Sequence, residues 1–243
     1  MPTSADPASA ATPPDAPPQR LHSLARAARH DILRRLAPPL RHDMVVHLQS
    51  LGMLAEALNA RLDRAAATNE EVHEAVSRLH RLARQAVATC VEVSTWMQPA
   101  ENDTIPLREG IDECVRLLAT SLDFHGFTLR AEAGDADLDV SRSALRFLLP
   151  AAIFTLTDAA PAPGQVTLRT PAASRHGVVV VRYAPQPEGS FTRLHDPGEH
   201  PLAWAEVEAL AAEAAVELER GADCIVLRLP RVTVTTPLAM APV

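Results

Sequence analysis

Residues 40–49 read L-R-H-D-M-V-V-H-L-Q, and His42 with Asp43 is the pair in this chain best suited to chemistry. A neutral imidazole is a nucleophile near pH 7. A carboxylate beside it accepts a hydrogen bond from the second ring nitrogen and so selects the tautomer. Around an ideal helix, Leu40, Met44, Leu48, Leu51, Ala55, Leu58 and Leu62 gather on one side. His42 then points roughly 160° from the centre of that stripe, out into water, with Asp43 next to it. Val46 follows one turn later on nearly the same face, and Gln49 one turn after that. A His-Asp pair displayed on the solvent side of a coiled-coil-like helix is what a reversible phosphoryl acceptor requires.

Other groupings of polar residues promise less. His47 turns toward the apolar stripe, and His73 and His80, seven residues apart on one face, read as solvated helix surface rather than as a metal site shared with a partner chain. Glu206 and Glu208 read as solvated helix face, and Ser141-Arg142 as the cap of the helix that follows. Cys90, Cys114 and Cys224 are far apart, each among apolar neighbours. They fit neither metal-ligand spacing nor a disulfide framework and read as reduced core residues.

Holding His42 outward calls for a helical hairpin. The spacing predicts a short helix over 21–36, ended by Pro38-Pro39, and a second over 39–65 with Pro39 in its first turn. Thr68 and Glu71 have the spacing of a capping box that opens a third. In it Val72, Val76, Leu79, Ala83, Ala86, Cys90, Val93 and Met97 form a seam that wants a partner helix. Two antiparallel helices cannot close a cylinder alone, so two copies forming a four-helix bundle, a homodimer, complete it. Trp96 is expected at the hinge that follows.

Beyond the hinge the element type alternates. Helices are expected over 107–122, 141–160 and 202–214, and strands over 127–133, 165–170, 177–184, 215–220 and 223–229. That order makes an α+β sandwich with helices on one face of a mixed sheet. The chain thus divides into a disordered arm (1–19), the hairpin (20–100), the α/β domain (101–230) and a loose tail (231–243).

Composition removes several classes of function. The 243 residues carry a net charge of −7, which argues against a nucleic-acid surface. All 23 basic residues are Arg, so neither a lysine phosphate loop nor Schiff-base chemistry is open to this chain. The apolar runs fall short of the ~20 residues that span a membrane, and a cytoplasmic location is expected.

A hairpin with an outward His-Asp, followed by this order of helices and strands, resembles the catalytic core of the histidine kinases. There a dimerisation and phosphoacceptor hairpin precedes a Bergerat-type ATPase domain. The segment RHDMVVHLQSL is similar to the H-box of the sporulation-type kinases and phosphotransferases: His42, Asp43, Leu48 and Gln49 match, and Val46 replaces an Asn. Residues 147–169 resemble the N-box helix-turn-strand, and residues 209–230 the closing helix and hairpin.

The nucleotide-binding residues of that family are missing. At the positions the resemblance implies, the two Asn are Ala151 and Thr155, and Tyr183 or Ala184 stands for the adenine-reading Asp. The stretch 194–203 holds one glycine, Gly198, where a Gly-rich lid is expected, and Trp204 and Phe191 are expected to fill the space a nucleotide would take. A triphosphate needs close backbone amides and a metal ligand, so the domain is expected to be a degenerate one that does not use ATP.

The resemblance therefore implies a phosphorelay histidine phosphotransferase. His42 accepts phosphate from a receiver's phosphoaspartate and passes it to a second receiver, Asp43 orients the ring, and Arg41, Val46 and Gln49 dock the receiver. No cofactor or metal is expected on this chain; Mg²⁺ belongs to the receiver. The expected partners are response-regulator receivers, a hybrid histidine kinase and a second copy. The alternative is a pseudokinase adaptor that binds receivers or a kinase without being phosphorylated. An active kinase with an unusual nucleotide site is the third reading.

Overall fold

The computed structural model describes residues 17–64, 68–97, 103–134, 138–171, 176–186 and 201–232. It opens on two long helices, α1 (Pro17–Asp63) and α2 (Asn69–Met97). The break expected at Pro38-Pro39 does not occur: α1 runs through both prolines as one helix of 47 residues, about 70 Å at 1.5 Å per residue. A proline inside a helix removes a hydrogen bond and crowds the carbonyl four residues back, at a cost on the order of 3 kcal/mol. Packing outweighs that cost, because Ala25, Ala28, Ile32 and Leu36 are fully buried and Leu40 nearly so. Residues 17–19, expected in a disordered arm, belong to this helix; residues 1–16 lie outside the described part, as do 233–243 of the expected tail.

The start of α2 follows the sequence closely. Thr68 donates its backbone N–H to the Glu71 carboxylate at 2.9 Å, and Glu71 donates its own N–H to the Thr68 hydroxyl at 3.3 Å. This is the reciprocal capping box. The backbone and hydroxyl of Thr68, with Arg61 nearby, hold the Glu71 carboxyl below its ordinary range.

The second half is a sheet covered on one face by helices. Its elements are β1 (Thr104–Pro106), α3 (Leu107–Phe124), β2 (Thr128–Ala133), β3 (Asp139–Ser141), α4 (Arg142–Ala159), β4 (Gly164–Thr170), β5 (Gly177–Pro185), α5 (Trp204–Glu213), β6 (Glu217–Arg220) and β7 (Cys224–Leu229). Five strands lie in the order β2-β4-β5-β7-β6, with β2 and β4 parallel and the other neighbours antiparallel. Strands β1 and β3, which the sequence did not announce, pair as a separate short ribbon. Period-two alternation sorts the faces: Val166, Leu168, Val179, Val181, Ile225 and Leu227 are buried, and the residues between them are not. The α+β class is as expected.

Helix α4 is the centre of the domain. Every residue from Ala144 to Thr157 is buried, as in a helix with neighbours on all sides. The sheet, α3 and α5 supply part of that cover, and the first half of α1 supplies the rest. Arg35 on α1 donates two hydrogen bonds to the Asp158 carboxylate, at 2.7 and 2.8 Å, with its guanidinium carbon 4.0 Å from the centre of the Phe154 ring. Arg29, nearly two turns before Arg35, and His22, two turns before that, both reach Glu213 of α5 at 2.8 Å. The same α1 therefore belongs to the hairpin at one end and to the α/β domain at the other.

A second tie joins the end of α2 to the domain. Arg146, only 3% exposed, donates to the Glu113 carboxylate and to the Thr95 hydroxyl, and its guanidinium lies over the Trp96 ring at 4.8 Å. Trp96 is 1% exposed and sits at the hinge as expected. Beside it, burial pushes the Cys114 thiol up, and the Glu113 charge adds to that. Of the three cysteines only Cys114 is buried; Cys90 is exposed on α2 and Cys224 half-buried, because each falls on the outer side of its element.

Two outcomes follow for stability. Asp158→Ala leaves a nearly buried guanidinium unpaired and should cost about 2–4 kcal/mol in urea unfolding; the exchanged pair Arg35→Asp with Asp158→Arg should recover part of it. Burial works to raise the Glu213 carboxyl, but hydrogen bonds from His22 and Arg29 outweigh it and hold the group below its ordinary range. A carboxyl lowered in the folded state stabilises it fully above the ordinary carboxylate pKa, and that contribution fades as pH falls through the lowered value. Glu213→Gln should therefore flatten the acid limb of a stability–pH profile and leave its neutral side with a constant deficit.

Candidate functional site

His42 and Asp43 are both exposed on α1, as are Arg41 and Gln49, and Val46 is 42% exposed. No hydrogen bond or ion pair joins His42 to Asp43 among the described residues. The imidazole is exposed, and a second element lies across from it. Arg35 and His42 are seven residues apart and so share one side of α1. Because Arg35 turns that side toward α4, His42 carries the same side past the end of the packed region.

There the two bodies separate into a cleft of about 520 Å³. Pro38, Pro39, Arg41, His42, Asp43 and Val45 form its α1 wall. The opposite wall is the outer side of α3: Arg116, Thr120 and Phe124 recur at intervals of four, with Leu117, Ser121 and His125 beside them. Of the expected site residues the cleft gathers Arg41, His42 and Asp43; Val46 and Gln49 lie outside its lining.

Three features of the α3 wall escaped the sequence reading. Phe124 is 78% exposed in a chain with few aromatics. Arg116 is largely exposed, and its nearest acid is Glu92 of α2 at 3.9 Å. His125 has a ring nitrogen, Nδ1, 2.7 Å from the Ser121 carbonyl. A carbonyl only accepts, so Nδ1 carries the proton and Nε2 keeps a lone pair when the ring is neutral. The four-residue spacing of Arg116, Thr120 and Phe124 was visible in the sequence; that this side faces His42 follows only from how α1 packs.

Thr155 and Tyr183, the positions the resemblance singled out, lie on α4 and β5. Thr155 is buried, and its hydroxyl donates to the Ala151 carbonyl at 2.7 Å, inside its own helix. Tyr183 is nearly buried, its hydroxyl donating to the Ala162 carbonyl at 2.7 Å and its ring meeting Phe127 edge-on. A β-carbon on Gly164 would collide with the Ala184 carbonyl and come within 2.8 Å of the Tyr183 ring, so glycine there makes room for the tyrosine. What remains is a cleft of about 280 Å³ lined by Thr155, Tyr183, Ala184, Arg220 and Asp223 among others.

Trp204, expected to fill this space, instead lies 4.9 Å under the Arg220 guanidinium and donates its indole N–H to Glu208 at 2.7 Å. Phe191 lies outside the described residues, as does 194–200 of the expected lid. Glu206 is not merely solvated, since its carboxylate accepts from the Ala203 N–H and caps α5. Ser141 caps α4 as expected, its hydroxyl accepting from Ala144 N–H at 3.2 Å. His73 and His80 are exposed and His47 half-buried. Among the described residues no cluster of three His, Cys, Asp or Glu side chains has metal-binding geometry, and no helix is long and apolar enough to cross a membrane.

No protein-family model and no curated protein matches this chain. Solved structures with a similar course of the chain include the catalytic domain of the histidine kinase ThkA, at 16% identity and TM-score 0.39 over 53% of this chain and 95% of that one. Another is the Acinetobacter baumannii histidine kinase AdeS, at 10% identity and TM-score 0.39 over 78% and 98%. A bacterial phosphotransferase aligns at 16% identity and TM-score 0.36 over 82% and 95%.

In the smaller cleft the Thr155 hydroxyl is held by its own helix and the Tyr183 hydroxyl by the Ala162 carbonyl. A fluorescent ATP analogue should show no saturable binding at millimolar concentration with Mg²⁺ present. Tyr183→Asp alone should not create any, because Thr155 remains bonded to its own helix.

Proposed function

We propose that this chain is a histidine phosphotransferase of a two-component phosphorelay, with His42 as the phosphoryl acceptor and ATP taking no part. The observation that carries this reading is an exposed imidazole, beside a carboxylate, in the lining of a cleft of about 520 Å³. The H-box resemblance around His42, and the absence of every nucleotide-holding residue in an otherwise matching order of elements, support it.

In the proposed step a ring nitrogen of His42 uses its lone pair on the phosphorus of a receiver's aspartyl phosphate. The N–P bond forms as the acyl P–O bond breaks, and the receiver's aspartate leaves as a carboxylate. The proton on the other ring nitrogen stays there. Asp43 is free to rotate toward it and offset the charge that develops on the ring. The reverse step, with a second receiver's carboxylate attacking phosphohistidine, restores His42. Mg²⁺ on the receiver supplies charge stabilisation.

The hairpin is proposed to pair with a second copy. In one chain Leu48, Met53 and Leu62 of α1 and Val76, Val87 and Val91 of α2 are all 48% or more exposed, an apolar surface that a bundle of four helices would cover. Val46, standing where the family has a polar residue, cannot orient a water. Dephosphorylation of the receiver is accordingly a minor activity in this reading.

The alternative, an adaptor that binds without being phosphorylated, differs in one measurable respect. Incubated with a phosphorylated receiver, wild-type protein should acquire acid-labile phosphate and His42→Ala should acquire none. Receiver binding that survives the substitution, with no label on the wild type either, would establish the adaptor instead.

A further inference from the structure

We propose that the outer side of α3, carrying Arg116, Thr120 and Phe124, is the second wall of the docking site for the phosphoryl-bearing edge of a receiver. Phe124 is its apolar anchor. The inference rests on the phosphotransfer reading of His42 and assigns to the α/β domain a part in partner choice.

Charge is the first reason. The chain as a whole carries −7, yet this cleft gathers Arg41 and Arg116 against the single carboxylate of Asp43. Glu92 is the nearest acid to Arg116, but at 3.9 Å between two exposed side chains it is a weak partner. A local surplus of positive charge on an acidic protein steers an anionic surface toward it, and an aspartyl phosphate is such a surface.

Phe124 is the second reason. The rest of α3 turns its large apolar residues inward, with Leu107, Ile111, Leu117, Leu118 and Leu122 all buried, while Phe124 is 78% exposed. Among the described residues little covers that ring. An exposed aromatic at the rim of a cleft is the kind of group that anchors an interface.

Rigidity is the third. The bonds from Arg35 to Asp158 fix α1 on α4, and α3 packs on the same α4. The two walls are thus held at a set distance before a partner arrives, which reduces the ordering cost of docking.

The full chain would be titrated with a panel of receiver domains, each phosphorylated with acetyl phosphate, and His42 labelled separately with phosphoramidate. Arg116→Glu and Phe124→Ser should each weaken binding of the receiver that wild type selects by about tenfold or more. They should raise KM for transfer from that receiver more than they lower kcat. Arg169→Ala, on the far face of the sheet, should bind as wild type does. Equal affinity of the cleft variants and wild type overturns the proposal, and so does a panel with no binder, or cleft variants that lose self-association instead. If His42 takes no label while receivers still bind through Arg116 and Phe124, the phosphotransfer reading fails and the docking wall stands.

Discussion

How the two halves of this molecule relate depends on the contacts of α1 with α4 and α5, one guanidinium among them. Arg35 reaches from α1 to the Asp158 carboxylate with the Phe154 ring against its face, a geometry in which charge, hydrogen bonding and stacking all favour one orientation. Since α1 is unbroken, fixing Arg35 also fixes the direction of every residue two turns on. His42 is at that distance. Its place beside α3 therefore depends on how α1 packs against the α/β domain.

The continuity of α1 through Pro38 and Pro39 is what transmits that constraint. Two prolines in mid-helix leave the carbonyls of Arg34 and Arg35 without their usual donors, so the helix is weakest immediately before the candidate site. Ile32, Leu36 and Leu40 are buried across the weak point, and their packing holds the axis. The prolines also shape the cleft, because both rings form part of its wall. A feature that local propensity reads as a terminus is, in the folded chain, one side of a groove.

How much of this the sequence discloses depends on whether the deciding force is local. The Thr68–Glu71 cap, the buried alternation of β4, β5 and β7, and the outward face of His42 were legible, since each depends on residues a few positions apart. The length of α1 was not, since the burial that overrides Pro38 and Pro39 comes from α4 and α5, more than a hundred residues away. Strands β1 and β3 are three residues each, too short for a period of two to register. The α3 wall escaped for a related reason: Arg116 and Phe124 read as ordinary helix surface until α1 is placed opposite them.

The state of α4 bears on why the α/β domain is present at all in the proposed relay. Helix α4 is buried from Ala144 to Thr157, with Thr155 bonded to its own backbone and Tyr183 packed nearby, and so is held by neighbours on all sides. What such a body offers is stiffness. An acceptor imidazole that receives a phosphoryl group from another protein has no need of a moving domain that brings nucleotide to it. It needs to be met at a fixed distance by a surface that selects the donor. Joining α1 to α4 through Arg35 supplies the distance, and leaving Phe124 and Arg116 uncovered supplies the surface. In the proposed relay the rigidity of the docking site is a consequence of that packing.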